Sequence, residues 1–286
     1  MLMGMIFRFF SITLIVLLSA SCASIIQSTN KKLAASISSG IKNSDDVDIV
    51  KRGLPTYIIM LDGMITESPE NTALLDAAAS LNSFFASQFS SDKNQSQHLT
   101  NKAFRYAKRS ICVQYKMCNL QTTKIENFQK NLINIKTDDL PSYYVLSTTW
   151  TSWIKENSSD WNAVADLARV KMLLQQVVKL SPDYEHGTPH IYLAVLASIV
   201  PPALGGQPEI AKQHFETAIA ISKGTNLIAK VLFAKHYARM MFDEELHNSL
   251  LNEVLQANPH DKNLTLSNIL AQNTAKELLE NGSEYF

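Results

Sequence analysis

Two histidines in the segment EHGTPH, which begins at Glu185, have a spacing that could bind a metal ion. His186 and His190 are four residues apart, which is the spacing of two zinc ligands on one face of a helix. However, Gly187 and Pro189 interrupt a helix here, and zinc needs further ligands that no Cys/His cluster in the chain supplies. We therefore predict neither a metal ion nor a cofactor. A metal-dependent hydrolase that uses the two histidines and Glu185 is the alternative.

Nucleophilic catalysis and phosphate binding each depend on a motif that the chain lacks. No GxSxG turn occurs, so no serine is marked as a nucleophile. Gly205 and Gly206 precede a helix start, where phosphate can bind, but neither GK[ST] nor a three-glycine fingerprint accompanies them. We predict no catalytic residue and interpret these glycines, together with Pro201 and Pro202, as an enlarged bend between two helices.

The first residues of the chain predict export and a lipid anchor. Arg8 precedes an uncharged apolar stretch that is shorter than the ~20 residues of a membrane span, and small residues lead to Cys22 in SASC. This pattern is typical of a bacterial lipoprotein. We predict a signal peptide over residues 1–21, acylation of Cys22 and a flexible tether over residues 22–45. Ordinary secretion with cleavage near Ala23 is the alternative.

Cys112 and Cys118 are the other cysteines of the chain. In an exported protein they could form a disulfide that closes a small loop. A continuous helix would instead hold the two thiols apart. The sequence leaves both arrangements open.

Helices are predicted to position all of these residues. From residue 46 to residue 286 the apolar residues recur with helical period, and no hairpin turn lies between β-branched runs. We predict one all-α domain of about eleven helices over residues 46–286. Outside the central bend the predicted helices are 47–66, 72–89, 95–115, 123–135, 140–156, 161–180, 227–240, 243–256 and 264–279. The 26 basic residues balance the 26 acidic ones, which argues against a nucleic-acid partner.

One predicted helix carries the packing pattern of a known repeat. Ala211, Phe215 and Ala218 reproduce the A-x3-F-x2-A spacing of the second helix of a tetratricopeptide repeat (TPR). Pro208 suits the first position of that helix, and Gly224 suits its C-terminal cap. The sequence therefore predicts that the all-α domain is an irregular TPR-like helical solenoid.

A set of residues across the chain resembles a known family. The set comprises LSPDY at 180–184, His190, Leu193, Pro202, Leu204, Gly205, Gly206, Ala211, His214, Phe215, Ala218, Ile219 and VLFAKHYARMMFDEELHNSLLNEVL at 231–255. With the lipoprotein-like start, it resembles the T component of TRAP transporters, a TPR-like bacterial lipoprotein. The resemblance implies a non-enzymatic protein that is lipid-anchored in the cell envelope and faces the periplasm. It also implies association with the solute-binding (P) subunit, self-assembly as a homotrimer around a central opening, and a small apolar or carboxylated ligand.

The partner or ligand is expected to contact the rim of the solenoid near the proline- and glycine-rich bend. The residues predicted for this contact are His186, His190, Tyr192, Pro201, Pro202, Gly205 and Gly206. A general TPR-like envelope lipoprotein that assembles other proteins is the alternative function. The tryptophans, Trp150, Trp153 and Trp161, are interpreted as core residues rather than groove residues.

Overall fold

The structure, a computed structural model, describes residues 32–199 and 206–286, which form helices and connecting turns but no strand. The first helices are α1 (32–42), α2 (Val47–Glu67), α3 (Thr72–Gln88), α4 (Lys93–Tyr115), α5 (Ile125–Leu132), α6 (Leu140–Glu156) and α7 (Trp161–Ala165). The later helices are α8 (Leu167–Leu180), α9 (Tyr184–Ala197), α10 (Pro208–Ile221), α11 (Leu227–Leu232), α12 (Glu244–Gln256) and α13 (Thr265–Glu280). A π-helix, Phe233–Ala238, continues α11. The prediction of an all-α fold is confirmed. In these two ranges no helix has both the length and the apolar content to cross a membrane.

Five helix starts are fixed by a polar side chain at the N-cap. The caps of α2, α3, α4, α7 and α12 each accept a hydrogen bond from a backbone N–H in the first turn, and they are Asp46, Asn71, Asp92, Asp160 and Asp243. Such a cap stabilises a helix by about 1 kcal/mol. α10 begins at Pro208, as predicted, because the missing N–H of proline has no helical partner at that position.

The segment predicted as one helix over 161–180 is divided at Asp166, so this prediction was wrong. The side chain of Asp166 is almost fully buried and accepts hydrogen bonds from Trp150 Nε1 at 3.3 Å and Gln121 Nε2 at 2.9 Å. Arg169 forms an ion pair with it at 3.2 Å. A buried carboxylate needs such partners, and α7 ends where this one enters the core.

The segment predicted as one α-helix over 227–240 changes to a π-helix at Phe233. The ring of Phe233 is buried and stacks on Phe215 of α10, with ring centroids 5.0 Å apart. Tyr237 is also buried, and its ring lies 5.2 Å from that of Phe233. Because a π turn contains more residues than an α turn, it changes which side chains face the core.

Two apolar cores fill most of the molecule. The first joins α3, α4, α5, α6 and α8 around the fully buried Trp150, and the second joins α10 to α13 around Phe215. α9 belongs to both, because its Leu193 packs in the first core and its Ile191 in the second. α9 therefore connects the two cores.

The tryptophans differ in their surroundings. Trp150 is fully buried between Phe104 and Phe128, and the half-buried ring of Trp153 lies 5.0 Å from that of Phe104. Trp161 is 85% exposed at the first position of the short helix α7. The core interpretation is right for Trp150 and wrong for Trp161, whose side chain is exposed to solvent.

Cys112 and Cys118 form a disulfide. α4 ends at Tyr115, and Lys116 has a left-handed backbone with φ of 59°. The chain therefore turns back and brings the Cα atoms of the two cysteines to 4.3 Å. The continuous helix that would have held the thiols apart stops before Cys118.

The beginning of the described chain is attached to later helices. α1 lies within residues 22–45, the segment predicted as a flexible tether. Lys42, its last residue, forms an ion pair with Glu185 at 2.9 Å. Asn43 donates to Asn263 Oδ1 at 3.2 Å and accepts from the backbone N–H of Asn263 at 2.7 Å. These contacts connect the N-terminal helix with the turns before α9 and α13.

Candidate functional site

A left-handed turn precedes the regular part of α9. Glu185, His186 and Gly187 have φ angles of 45°, 55° and 77°. This left-handed conformation costs each residue with a Cβ about 1–2 kcal/mol, so other contacts must stabilise the turn. Thr188 Oγ1 donates to the carbonyl oxygen of Glu185 at 2.6 Å, and Asn226 Nδ2 donates to that of His186 at 3.2 Å. The turn is thus fixed both from α9 and from the residue before α11.

The same turn brings α9 close to α10 at Gly187. A Cβ placed on Gly187 would lie 3.2 Å from Cα and 3.3 Å from the carbonyl oxygen of Ala218. Ala218, Ala211 and Phe215 are all fully buried and belong to the core that α9 and α10 share. Small side chains permit the approach of the two helices, and the phenylalanine ring fills the remaining space.

His190 forms a pair with His214 of α10. Their Nδ1 atoms are 2.9 Å apart, so one ring donates a hydrogen bond to the other. Burial lowers the pKa of His190. Burial, followed by the charges of His190 and Lys171, lowers the pKa of His214 to about 4. Both rings are therefore neutral at neutral pH, and Nε2 of His190 is buried with no hydrogen-bond partner in the described part of the chain.

His186 lies in different surroundings from His190. It lines an open pocket with Asp183, Glu185, Ile221 and Asn263. Glu185, one of the lining residues, forms an ion pair with Lys42 of α1. Among residues 32–199 and 206–286, no three His, Cys, Asp or Glu side chains are grouped so that they could hold a metal ion.

Three tyrosines, called the tyrosine cluster below, lie together on α6 and α9. Tyr144 of α6 and Tyr184 and Tyr192 of α9 are each half-buried, and the rings of Tyr144 and Tyr184 make an edge contact with centroids 5.2 Å apart. Burial raises the pKa of Tyr184 and of Tyr192 to about 12, and it raises that of Tyr144 well above the ordinary value. At neutral pH these hydroxyl groups are uncharged and can donate hydrogen bonds.

A buried carboxyl group influences the tyrosine cluster. Asp76 of α3 accepts a hydrogen bond from Ser142 Oγ at 2.6 Å, while its Oδ1 is buried without a partner among the described residues. Burial raises the pKa of Asp76. After burial and the charge of Glu185, the charge of Asp76 contributes to the raised pKa of Tyr184. This region therefore combines aromatic surface, hydroxyl groups and one carboxyl acceptor.

The predicted contact residues that the structure describes have different surroundings. Tyr192 lies in the tyrosine cluster, His186 lines the open pocket, and His190 is paired with His214. Gly206 is half-buried, shortly before α10 begins. Pro201, Pro202, Gly205 and Cys22 lie outside the described residues.

Sequence reasoning missed Tyr144, Tyr184 and Asp76 as members of a candidate site. The one usable signal was Asp76, an acid within the apolar run LLDAAAS, because a charged residue on an apolar helix face needs a special partner. The two tyrosines give no such signal, since their approach depends on how α6 packs beside α9.

The histidine pair and the tyrosine cluster are uncharged at neutral pH. The pKa of His214 is lowered to about 4 and that of Tyr192 is raised to about 12, in both cases chiefly by burial. At neutral pH the tyrosine cluster and the histidine pair offer neutral donors, neutral acceptors and aromatic faces. Such groups fix the orientation of a bound molecule in a largely apolar site.

Comparison with known proteins identifies a family for most of the chain. The sequence model described as TRAP transporter T-component matches residues 43–286, from the end of α1 to the C-terminus. No curated protein matches the chain.

Proposed function

The chain belongs to the TRAP transporter T-component family, and on that basis we propose that it is a non-enzymatic, membrane-anchored scaffold for a TRAP transporter. In this proposal it associates with the solute-binding (P) subunit and assists the uptake of a small ligand with apolar or carboxylated character. The observation that carries the proposal is the family match, which extends over α2 to α13.

The tyrosine cluster is the proposed ligand-contact region. Its aromatic rings offer apolar surface, and its hydroxyl groups are protonated at neutral pH, which lies well below the ordinary pKa of tyrosine; burial raises the pKa of these groups further. A ligand with an apolar body and a few polar atoms could stack on the rings and accept hydrogen bonds from the hydroxyls. Tyr192 is the member that the sequence analysis also assigned to ligand or partner contact.

Association with the P subunit is the decisive test. The purified chain, from residue 22 onward, is titrated with the P subunit of its own transporter in a calorimeter, and we expect saturable binding with a dissociation constant below about 1 mM. Tyr192→Ala tests the tyrosine cluster, and Tyr57→Ala on the exposed side of α2 is the matched control. If the P subunit shows no binding and envelope-assembly proteins are captured instead, the alternative of a general envelope lipoprotein is favoured.

The anchor is proposed to be an acylated Cys22 in the bacterial cell envelope, with the helical domain facing the periplasm. The disulfide between Cys112 and Cys118 supports an oxidising compartment, because disulfides persist in the periplasm and are rare in the cytosol. Cys22→Ala is expected to move the protein from the membrane fraction to the soluble fraction, whereas Ser24→Ala leaves it in place. Retention of Cys22→Ala in the membrane fraction would show that another segment anchors the chain.

Self-assembly as a homotrimer is a further part of the proposal and rests on the family resemblance. Sedimentation equilibrium on the chain without its lipid anchor measures this directly. A mass near three chains is expected, and a mass of one chain at all concentrations would remove the trimer from the proposal.

A further inference from the structure

The turn between the π-helix and α12 places a large aromatic ring in solvent. Phe242 has a left-handed backbone with φ of 55°, and its side chain is 78% exposed. Helices commonly end with a residue in this conformation, but that residue is usually glycine or asparagine, because the left-handed backbone brings a Cβ too close to a carbonyl oxygen. A bulky residue with positive φ is uncommon. Phe242 therefore combines a strained backbone with an exposed apolar ring.

The hydrogen bonds of this turn do not depend on the phenylalanine ring. The backbone N–H of Phe242 donates to the carbonyl oxygen of Arg239 at 3.2 Å, and that of Asp243 donates to the carbonyl oxygen of Ala238 at 2.9 Å. Glycine or asparagine would make the same backbone bonds with less strain. The fold of the turn does not require a phenylalanine here, and strained residues cluster at binding and switch sites.

Two further aromatic side chains are held next to this turn. The guanidinium carbon of Arg239 lies 3.6 Å from the ring centroid of Tyr285. The ring centroids of His247 and Phe286 are 5.1 Å apart. Arg239 and His247 lie three residues before and five residues after Phe242 in the chain. These contacts therefore bring both rings close to the turn.

The two side chains that support these rings are themselves fixed. Arg239 donates from Nε to His247 Nε2 at 3.2 Å, and it donates a second hydrogen bond to the carbonyl oxygen of Leu278 at 3.1 Å. The side chain of His247 is fully buried. The support of Tyr285 and Phe286 is thus ordered before a partner binds, which lowers the entropic cost of association.

Four exposed apolar side chains lie around this support. They are Met241, Phe242, Tyr285 and Phe286, and we call them the apolar patch. Apolar side chains that are exposed as a group, rather than singly, mark interaction sites. Aromatic residues and methionine are enriched in protein–protein interfaces, where a few large side chains supply most of the binding energy. The composition of the apolar patch therefore suits a protein partner.

The charges around the apolar patch are acidic. In the segments 239–247 and 277–286, Arg239 is the only lysine or arginine. The acidic residues of the same segments are all exposed, and they are Asp243, Glu244, Glu245, Glu277, Glu280 and Glu284. None of them forms an ion pair with another residue of the described ranges. Charge complementarity favours a partner with basic residues, whereas an anionic lipid surface or a second copy of the same patch would be repelled.

We propose that the apolar patch is the docking surface for the solute-binding P subunit, and that it fits apolar side chains bordered by lysine and arginine on that subunit. The inference rests on the proposed function and deepens it, because it assigns the place of contact. The ring of Phe242 and its neighbours supply the apolar contact, and the acidic side chains around them direct the approach. The backbone strain at Phe242 is tolerated because the ring serves binding.

The test measures stability and binding in the same variant. Phe242→Asn removes the ring and introduces a residue that tolerates the left-handed backbone better. We expect the midpoint of urea unfolding to stay the same or to rise, because the strain is reduced. In calorimetric titrations with the P subunit, the dissociation constant should increase about tenfold or more, as for a central aromatic residue of an interface. A ring that served only the fold would give a lower midpoint and an unchanged affinity.

Trp161→Asn is the matched control, because it removes another exposed aromatic ring, and it should bind the P subunit with the affinity of the wild type. The double variant Glu244→Gln with Glu245→Gln should weaken binding about threefold at low ionic strength. This effect should decrease as salt is added, because salt screens exposed charges. Glu216→Gln, at an exposed position on α10, is the control for the loss of an acidic charge.

Failure of this inference is distinguishable from failure of the proposed function. If Phe242→Asn binds the P subunit as tightly as the wild type does, the inference is overturned while the association stands. If the wild type does not bind the P subunit, both are overturned.

Other occupants of the apolar patch would also overturn the inference. A lower assembled mass of Phe242→Asn in sedimentation equilibrium, with unchanged affinity for the P subunit, would show that the patch contacts a second copy of the chain. Binding of the unacylated wild type, but not of Phe242→Asn, to vesicles of phosphatidylethanolamine and phosphatidylglycerol would show that it contacts lipid.

Discussion

Replacing Gly187 with alanine tests the contact between α9 and α10. The backbone of Gly187 has φ of 77°, a conformation that costs a residue with a Cβ about 1–2 kcal/mol. The new Cβ would lie 3.2 Å from Cα and 3.3 Å from the carbonyl oxygen of Ala218. These are backbone atoms, so α10 itself must shift, and overpacking of this kind costs about 1–3 kcal/mol. Together the free energy of unfolding should fall by about 2–5 kcal/mol.

Gly224→Ala is the matched control for the backbone part of this cost. Gly224 has φ of 79°, but the nearest atom to its added Cβ is Lys230 Nζ at 3.8 Å, in ordinary contact. Its loss should therefore be limited to about 1–2 kcal/mol. Gly53→Ala, in the middle of α2 with nothing within 4 Å of the added Cβ, should instead stabilise the protein by about 0.5–1 kcal/mol.

Urea unfolding followed by far-UV circular dichroism measures these differences, provided that the slope of free energy against urea is the same in all variants. Equal losses for Gly187→Ala and Gly224→Ala would refute the close approach of α9 to α10. A loss in neither variant would refute the left-handed backbone at both positions.

Three further predictions concern other parts of the molecule. Burial lowers the pKa of His214 to about 4, below the ~6.5 of an unfolded histidine. The unfolded chain therefore binds the proton first, and stability present above pH ~6.5 is lost towards pH ~4 by up to about 1.4 kcal/mol per pH unit. His214→Gln should reduce this loss in the free energy of unfolding, measured by urea unfolding at pH ~6.5 and at pH ~4. The same pH dependence in His214→Gln and the wild type would contradict this prediction. Phe215→Ala should lower the free energy of unfolding by about 3–5 kcal/mol, and Trp161→Ala, at an exposed position, by less than about 0.5 kcal/mol, as measured by urea unfolding. Similar losses in the two variants would contradict the burial of Phe215. Cys112→Ser with Cys118→Ser should cost about 2 kcal/mol, since the disulfide closes a short loop, and the wild type in reductant should match it; no difference between oxidised and reduced protein would be the contrary result.

The helix α10 shows what the sequence could predict. Its start at Pro208, its buried Ala211 and Phe215, and the left-handed Gly224 after its end all follow from local rules about helix starts, apolar spacing and glycine caps. Each of these signals lies within a few residues of the structure that it predicts. For the same reason the boundaries of α6, at Leu140 and Glu156, were predicted without error.

The features that were not predicted depend on residues distant in sequence. The division at Asp166 requires Trp150 and Gln121 as hydrogen-bond donors, and the sequence does not show that they meet. His214 as the partner of His190 depends on the packing of α9 on α10. Periodicity identifies which face of a helix is buried, but it does not identify the helix that covers that face.

The attachment of Asn43 to Asn263 has a consequence for how the chain folds and unfolds. The two residues are separated by 220 positions, and Val50 and Leu54 of α2 pack with Leu266 of α13 beside them. In an open stack of repeats each unit touches only its neighbours, so folding can nucleate at many places and the ends can fray independently. Here a contact of long sequence separation must form, which raises the entropic barrier and slows folding. Once formed, it makes α2 and α13 lose their structure together, so the separate opening of either helix is suppressed.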